Sequence, residues 1–209
     1  MRKIKRFKIS TRQKEITRKI LRLGLDLTAA NLTNEIELSK FVLDLAQQLD
    51  PGTVYELNEN VLWDLGTQTV AAQGIFSACA VTLGDKPIAY IADWAPEKQL
   101  IAQVVLFEFL RTATLFVLDL IKEQAEKEEY EAQEPQFIYV PKLGMAPEPK
   151  LFQEASRADL ETSSKILPQL LSHISSDKIN VAWQDGQLTP QATVVLIVPW
   201  QKKKRKGKK

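Results

Sequence analysis

The alternation of apolar and polar positions is clearest at residues 75–82. Ile75, Ser77, Cys79 and Val81 fall on one side, and Phe76, Ala78 and Ala80 on the other. Both sets are apolar or small, which predicts a central strand covered on each face. The strand runs out at Thr82-Leu83-Gly84 and gives way to the charged Asp85 and Lys86. Gly84 there permits a positive φ or a close backbone approach.

Other segments keep a helical or an extended period. Residues 3–9 alternate weakly, with Lys5, Phe7 and Ile9 on one side, and predict a short strand entering a helix. Ser10 or Thr11 caps that helix, Gly24 ends it, and Ile16, Ile20, Leu21 and Leu23 form its apolar stripe. A second helix is capped by Asn31 or Thr33, buries Leu38, Phe41, Val42, Leu45 and Leu49, and stops at Pro51-Gly52. Residues 53–63 read as one or two strands. Residues 96–129 form a long helix, apolar nearly all round for two thirds of its length, whose charged end projects into solvent. Residues 136–140 form a strand, and three prolines and a glycine make residues 141–149 a loop. A helix over 158–174, interrupted at Pro168, precedes a strand at 179–183, a hairpin turn at Asp185-Gly186 and a final apolar strand at 192–200.

The order β-α-α-β-β-α-β-α-β-β predicts an α+β fold: a single mixed, partly antiparallel sheet with flanking helices and one long central helix. Residues 1–200 read as one domain and 201–209 as a basic, disordered tail, with no internal repeat or interdomain linker.

Charge changes this picture more than composition does. The first eight residues hold five basic side chains (Arg2, Lys3, Lys5, Arg6 and Lys8) and residues 202–209 hold seven, out of 28 in the chain. The body keeps 16 basic residues against 26 acidic ones, a balance of −10. So acidic a body repels phosphate backbones, so nucleic acid or another acidic partner would be met by the basic ends. No apolar core follows the basic start, which argues against a secretory signal. The most apolar long segment, residues 100–121, is broken by Glu108, Arg111 and Asp119, so no membrane span is expected. A single cysteine, Cys79, forms no intramolecular disulfide, and a reducing, cytoplasmic location is expected.

Catalytic residue types are scarce. His173, the only histidine, reads as a surface residue at a helix end. One histidine and one cysteine are too few nitrogen and sulfur ligands for zinc, and Cys79 reads as core packing. Neither phosphate-loop nor dinucleotide glycine motifs occur. No catalytic residue and no metal ligand is assigned. Glu108 and Arg111, spaced i,i+3, suit a structural ion pair; with Asp119 they are also the charged residues an unfamiliar enzymatic site would use.

Several motifs in order resemble one family. "AVTLG" (80–84), the long apolar helix, the loop "FIYVPKLGMAPEP" (137–149) and the closing segment with "LTP" (188–190) are similar to the layout of the reactivation domain of cobalamin-dependent methionine synthase and its stand-alone relatives. The resemblance covers roughly residues 3–200. It implies that fold, S-adenosylmethionine or cobalamin as ligands, a corrinoid protein as partner, and a cofactor-binding edge formed by Thr82, Gly84, Asp85, Pro141 and Gly144. The family's loop follows an Arg-x-x-Pro-Gly-Tyr pattern, whose arginine, glycine and tyrosine help hold S-adenosylmethionine. Aligned on Pro141, this chain carries Ile138, Lys142 and Leu143 instead. Isoleucine cannot fork onto a carboxylate, and leucine offers adenosine no ring or hydroxyl. The implied function is a non-catalytic binding or accessory role in corrinoid-dependent methyl transfer. The competing one is an interaction protein whose basic termini bind RNA or another acidic partner.

Overall fold

Apolar residues on both sides of a strand demand cover on both sides, and two central strands meet that demand. The computed structural model describes residues 2–9, 13–59, 62–64, 69–71, 74–153, 156–157 and 160–203. In chain order the strands and helices are β1 (Arg2–Lys5), α1 (Gln13–Arg22), α2 (Glu35–Gln47), β2 (Gly52–Glu59), β3 (Leu62–Asp64), β4 (Thr69–Ala71), β5 (Ile75–Thr82), α3 (Lys86–Ile91) and α4 (Pro96–Lys127). There follow β6 (Tyr130–Ala132), β7 (Gln136–Tyr139), α5 (Lys150–Gln153), β8 (Ser156–Arg157), α6 (Leu160–His173), a 3-10 turn (Ser176–Ile179), β9 (Ala182–Gln184), β10 (Gln187–Thr189) and β11 (Thr193–Lys202).

Among the described residues the main sheet has seven strands in the order β1-β2-β5-β11-β7-β8, with β6 also on β11. Every pairing is antiparallel except β7 with β8. The architecture is mixed α+β with a mostly antiparallel sheet and a long central helix. An antiparallel sheet commonly leaves one face wet. Here the middle is dry on both. Cys79, Val81, Leu196 and Val198 join the core beneath α1, α2 and α4. Phe76, Ala78, Ala80, Val195 and Ile197 join a second core beneath α6 and the 3-10 turn. The alternation read at residues 75–82 is this division between two cores.

Several boundaries differ from the sequence expectation. The first strand ends at Lys5, because Arg6 turns the chain with φ 56°. In α1, Ile16 and Ile20 are buried but Leu21 is 59% exposed, since it lies one position past the face that meets α4. The expected caps Ser10 and Thr11 lie outside the described residues. Helix α2 is capped by Asn34, whose side chain accepts from the N–H groups of Ile36 and Glu37 at 3.0 and 2.9 Å. Thr33 instead serves the Glu37 carboxylate, donating its own N–H to it at 2.8 Å. The charged end of α4 does not run out into water. Ile121 and Ala125 stay buried, and Glu129, at φ 63°, reverses the chain into β6. The strand expected at 179–183 starts only at Ala182, because Ile179 still belongs to the 3-10 turn. Asp185 and Gly186 form the β9–β10 turn with φ of 50° and 79°, the twist that a two-residue hairpin favours. The last strand extends through Lys202, beyond the expected start of the tail at 201. Residues 204–209 lie outside the described ones.

Candidate functional site

Strand register brings three loops to one edge of the sheet. Thr82 stands opposite both Thr193 and Gly52, Gly52 stands opposite Lys5, and Tyr139 stands opposite Val195. The turn after β5, the loop after β7 and the turn after β1 therefore leave the sheet on the same side. The candidate edge residues Thr82, Gly84, Asp85, Pro141 and Gly144 all lie in the first two of these.

Packing fills that edge. The Thr82 hydroxyl is buried, accepts from the Gly84 N–H at 3.1 Å and receives the Thr193 hydroxyl at 2.9 Å. Gly84 has φ +87°, and a Cβ there would stand 3.2 Å from the Asp50 backbone oxygen. Asp50 donates its N–H to the Leu83 carbonyl at 3.0 Å, so Gly84 lets the chain at Asp50 pass directly over the turn. Asp85 is exposed and precedes α3 without capping it by its side chain. Pro141 is buried, and Gly144, at φ +55°, lies where a Cβ would run into the Gln103 side chain of α4. Ile138 belongs to the second core and Leu143 to the first. These side chains do not fit S-adenosylmethionine: Pro141, Leu143 and Ala146 of the loop turn into the protein while Met145 stands 91% exposed, and the Thr82 hydroxyl of the turn is already satisfied.

The charged residues of α4 separate in the same way. Glu108, 7% exposed, accepts from Arg111 Nε at 2.8 Å and from Lys19 Nζ of α1. Two cations around one buried carboxylate make a latch between α1 and α4. Asp119 is exposed and takes no part in it. The Cys79 thiol is fully buried, and desolvation pushes its pKa far up, so no thiolate forms there. His173 is exposed at the end of α6. Among the described residues no group of His, Cys, Asp and Glu is arranged to hold a metal ion, and no helix is long and apolar enough to cross a membrane.

Among the described residues, open cavities lie outside the packed turn and loop, and none of the expected edge residues lines the two described below. The larger, about 760 Å³, sits where α4 turns back into β6; Leu115, Leu118 and Val198 form its apolar wall, and Lys122, Glu126 and Glu131 stand around it. The smaller, about 570 Å³, lies between the Arg6–Ile9 segment and the second half of α2. Asp50 and Lys86 line it, so it lies beside the Thr82–Asp85 turn. Its walls come from residues 6–9, 43–51 and 86, three stretches too far apart for any spacing motif to show. The one sequence signal was the apolar side of Phe7 and Ile9 in a basic segment.

The basic ends lie apart. Lys3 and Lys5 are exposed on β1, and local desolvation, then Lys5 and Lys178, hold the Lys3 ammonium below its ordinary range. Lys202 pairs with Tyr130 at the opposite end of the sheet. At about 3.3 Å per residue, the strand from Thr193 to Lys202 separates the two by roughly 30 Å.

The architecture is thus mixed α+β, with a mostly antiparallel sheet and a long central helix. No protein-family model matches the chain, and no curated protein matches it.

Proposed function

We propose that the protein is a non-catalytic binding protein on a scaffold of the methionine-synthase reactivation type, an accessory to corrinoid-dependent methyl transfer that has lost the family's S-adenosylmethionine site. The observation that carries this reading is the inward packing of the loop after β7. Ile138 and Leu143, aligned with the family's arginine and tyrosine, are buried, and the Thr-Leu-Gly turn and the Pro141 loop leave the sheet at one edge. Calorimetric titration with S-adenosylmethionine gives no heat on this reading, and a cobalamin-loaded corrinoid protein co-elutes with the chain on gel filtration. Saturable heat from S-adenosylmethionine overturns the lost site; separate elution overturns the partner.

A second reading rests on the exposed cations of the ends. Lys3 and Lys5 at one edge and Lys202 and Lys203 at the other suit RNA or another acidic partner held by charge alone. Deleting residues 203–209 then abolishes a salt-sensitive gel shift with RNA. An unchanged shift counts against the C-terminal end as the contact.

A further inference from the structure

The cavity beside the Thr82–Asp85 turn has a feature that packing alone does not require. β1 stops at Lys5, and Arg6 takes a left-handed backbone conformation that residues other than glycine seldom adopt. Its N–H is fixed to the Pro51 carbonyl at 2.8 Å. The turn sends residues 7–9 off the sheet and across α2. Phe7 anchors them by stacking on Phe116 of α4, with ring centroids 5.0 Å apart. Local strain of this kind persists where the surroundings over-determine it, and it collects at ligand clamps.

What the strap encloses is amphipathic. Phe7, Ile9, Ala46 and Leu49 supply apolar walls, and Leu43 stands at the mouth 58% exposed. Three exposed cations, Arg6, Lys8 and Lys86, ring the opening. The opposing groups are Asp50, 3.4 Å from Arg6, and the C-terminus of α2, which carries about half a negative charge. Positive charge remains in excess. A volume of 570 Å³ falls within the roughly 300–1,000 Å³ of small-molecule sites.

The geometry points to a binding site for a single-chain anionic amphiphile, with its acyl chain between the strap and α2 and its carboxylate among Arg6, Lys8 and Lys86. A monomeric ligand suits this site better than a membrane or a nucleic acid. The body outside the basic ends carries −10, which repels extended anionic surfaces, whereas one carboxylate meets mainly the local cations. This inference rests on the binding-protein reading, and the two fail separately: co-elution with a corrinoid protein does not report on the cavity.

The test titrates the full chain with monomeric oleate by calorimetry and repeats it with oleyl alcohol. One-to-one binding of oleate is expected, with oleyl alcohol weaker by about tenfold. Each surface charge pair is worth roughly two- to fivefold, so Lys86→Glu, which loses an attraction and gains a repulsion, weakens oleate by about tenfold. Ala46→Trp fills the cavity and abolishes binding; if that variant melts early, Leu43→Glu at the exposed mouth does the same without touching the core. Equal affinity for oleate and oleyl alcohol overturns the proposal, and so does oleate binding unchanged in Lys86→Glu and Leu43→Glu. Retention on phosphatidylglycerol vesicles without uptake of monomeric oleate overturns it in favour of a membrane surface.

Discussion

The turn after β5 and the cavity beneath the Arg6–Ile9 strap are neighbours, joined through Asp50, and they use the same surroundings in opposite ways. At the turn the Thr82 hydroxyl, the Gly84 N–H and both backbone groups of Leu83 find protein partners, and the space beside Gly84 is filled by the chain at Asp50. At the cavity apolar walls stay apart and the cations around them exceed the nearby acid. Glycine in a turn therefore marks close approach, and what approaches can be the protein itself. An apolar side chain left exposed beside basic residues marks an opening more directly.

Substitutions can break each half of this contrast. The largest effect is expected from Gly84→Val. A β-branched residue at φ +87° meets both backbone strain and the Asp50 contact, and about 3 kcal/mol of stability should be lost in urea unfolding. A near-neutral result would mean that Asp50 moves freely and the turn is not packed shut. Glu108→Leu comes next. It leaves Lys19 and Arg111, each about a quarter exposed, to turn to water, and should cost about 1–2 kcal/mol with α1 loosening first in amide exchange. Thr82→Val removes the acceptor of the buried Gly84 N–H and should cost about 1 kcal/mol, because the single hydrogen of the Thr193 hydroxyl can turn wholly to the Pro190 carbonyl at 2.7 Å.

On the cavity side, Lys86→Glu should leave the unfolding free energy within about 0.5 kcal/mol of the parent in urea, because that lysine is exposed. A larger loss would make that lysine part of the packing and blur the distinction. The smallest effect is a matter of pH. Hydrogen bonds from the Thr33 side chain and N–H hold the Glu37 carboxyl below its ordinary range. Its contribution is full above the usual carboxylate value of about 4.3 and disappears as pH falls through the lower folded value. Glu37→Gln should therefore flatten the acid limb of thermal stability and leave neutral pH almost unchanged.

Legibility of the fold followed how local its causes were. The buried strand at 75–82, the long helix from Pro96 and the Asp185-Gly186 turn depend on near neighbours, and each is where the pattern puts it. The cap of α2 moved to Asn34 because Glu37 claimed Thr33, a choice between adjacent partners that a list of capping residues does not make. The end of α4 moved because Ile121 and Ala125 meet the sheet, which the charged residues between them conceal. Of the candidate site, the two loops were found but not their filling, and the cavity between residues 6–9, 43–51 and 86 left almost no mark.

The sequence by itself determined that the strand at 75–82 would be covered on both faces, that one long helix would lie centrally, and that positive charge would gather at the ends of an acidic body. Hydrophobic period and charge count are properties of the chain alone. Tertiary structure decided which strands became neighbours, that Lys19 joins Arg111 on Glu108, that Asp50 and Gln103 occupy the space beside Gly84 and Gly144, and that the basic ends stand at opposite edges of the sheet. These are contacts between residues far apart in the chain, and the order of pairing across the sheet, which no local spacing encodes, sets which of them meet.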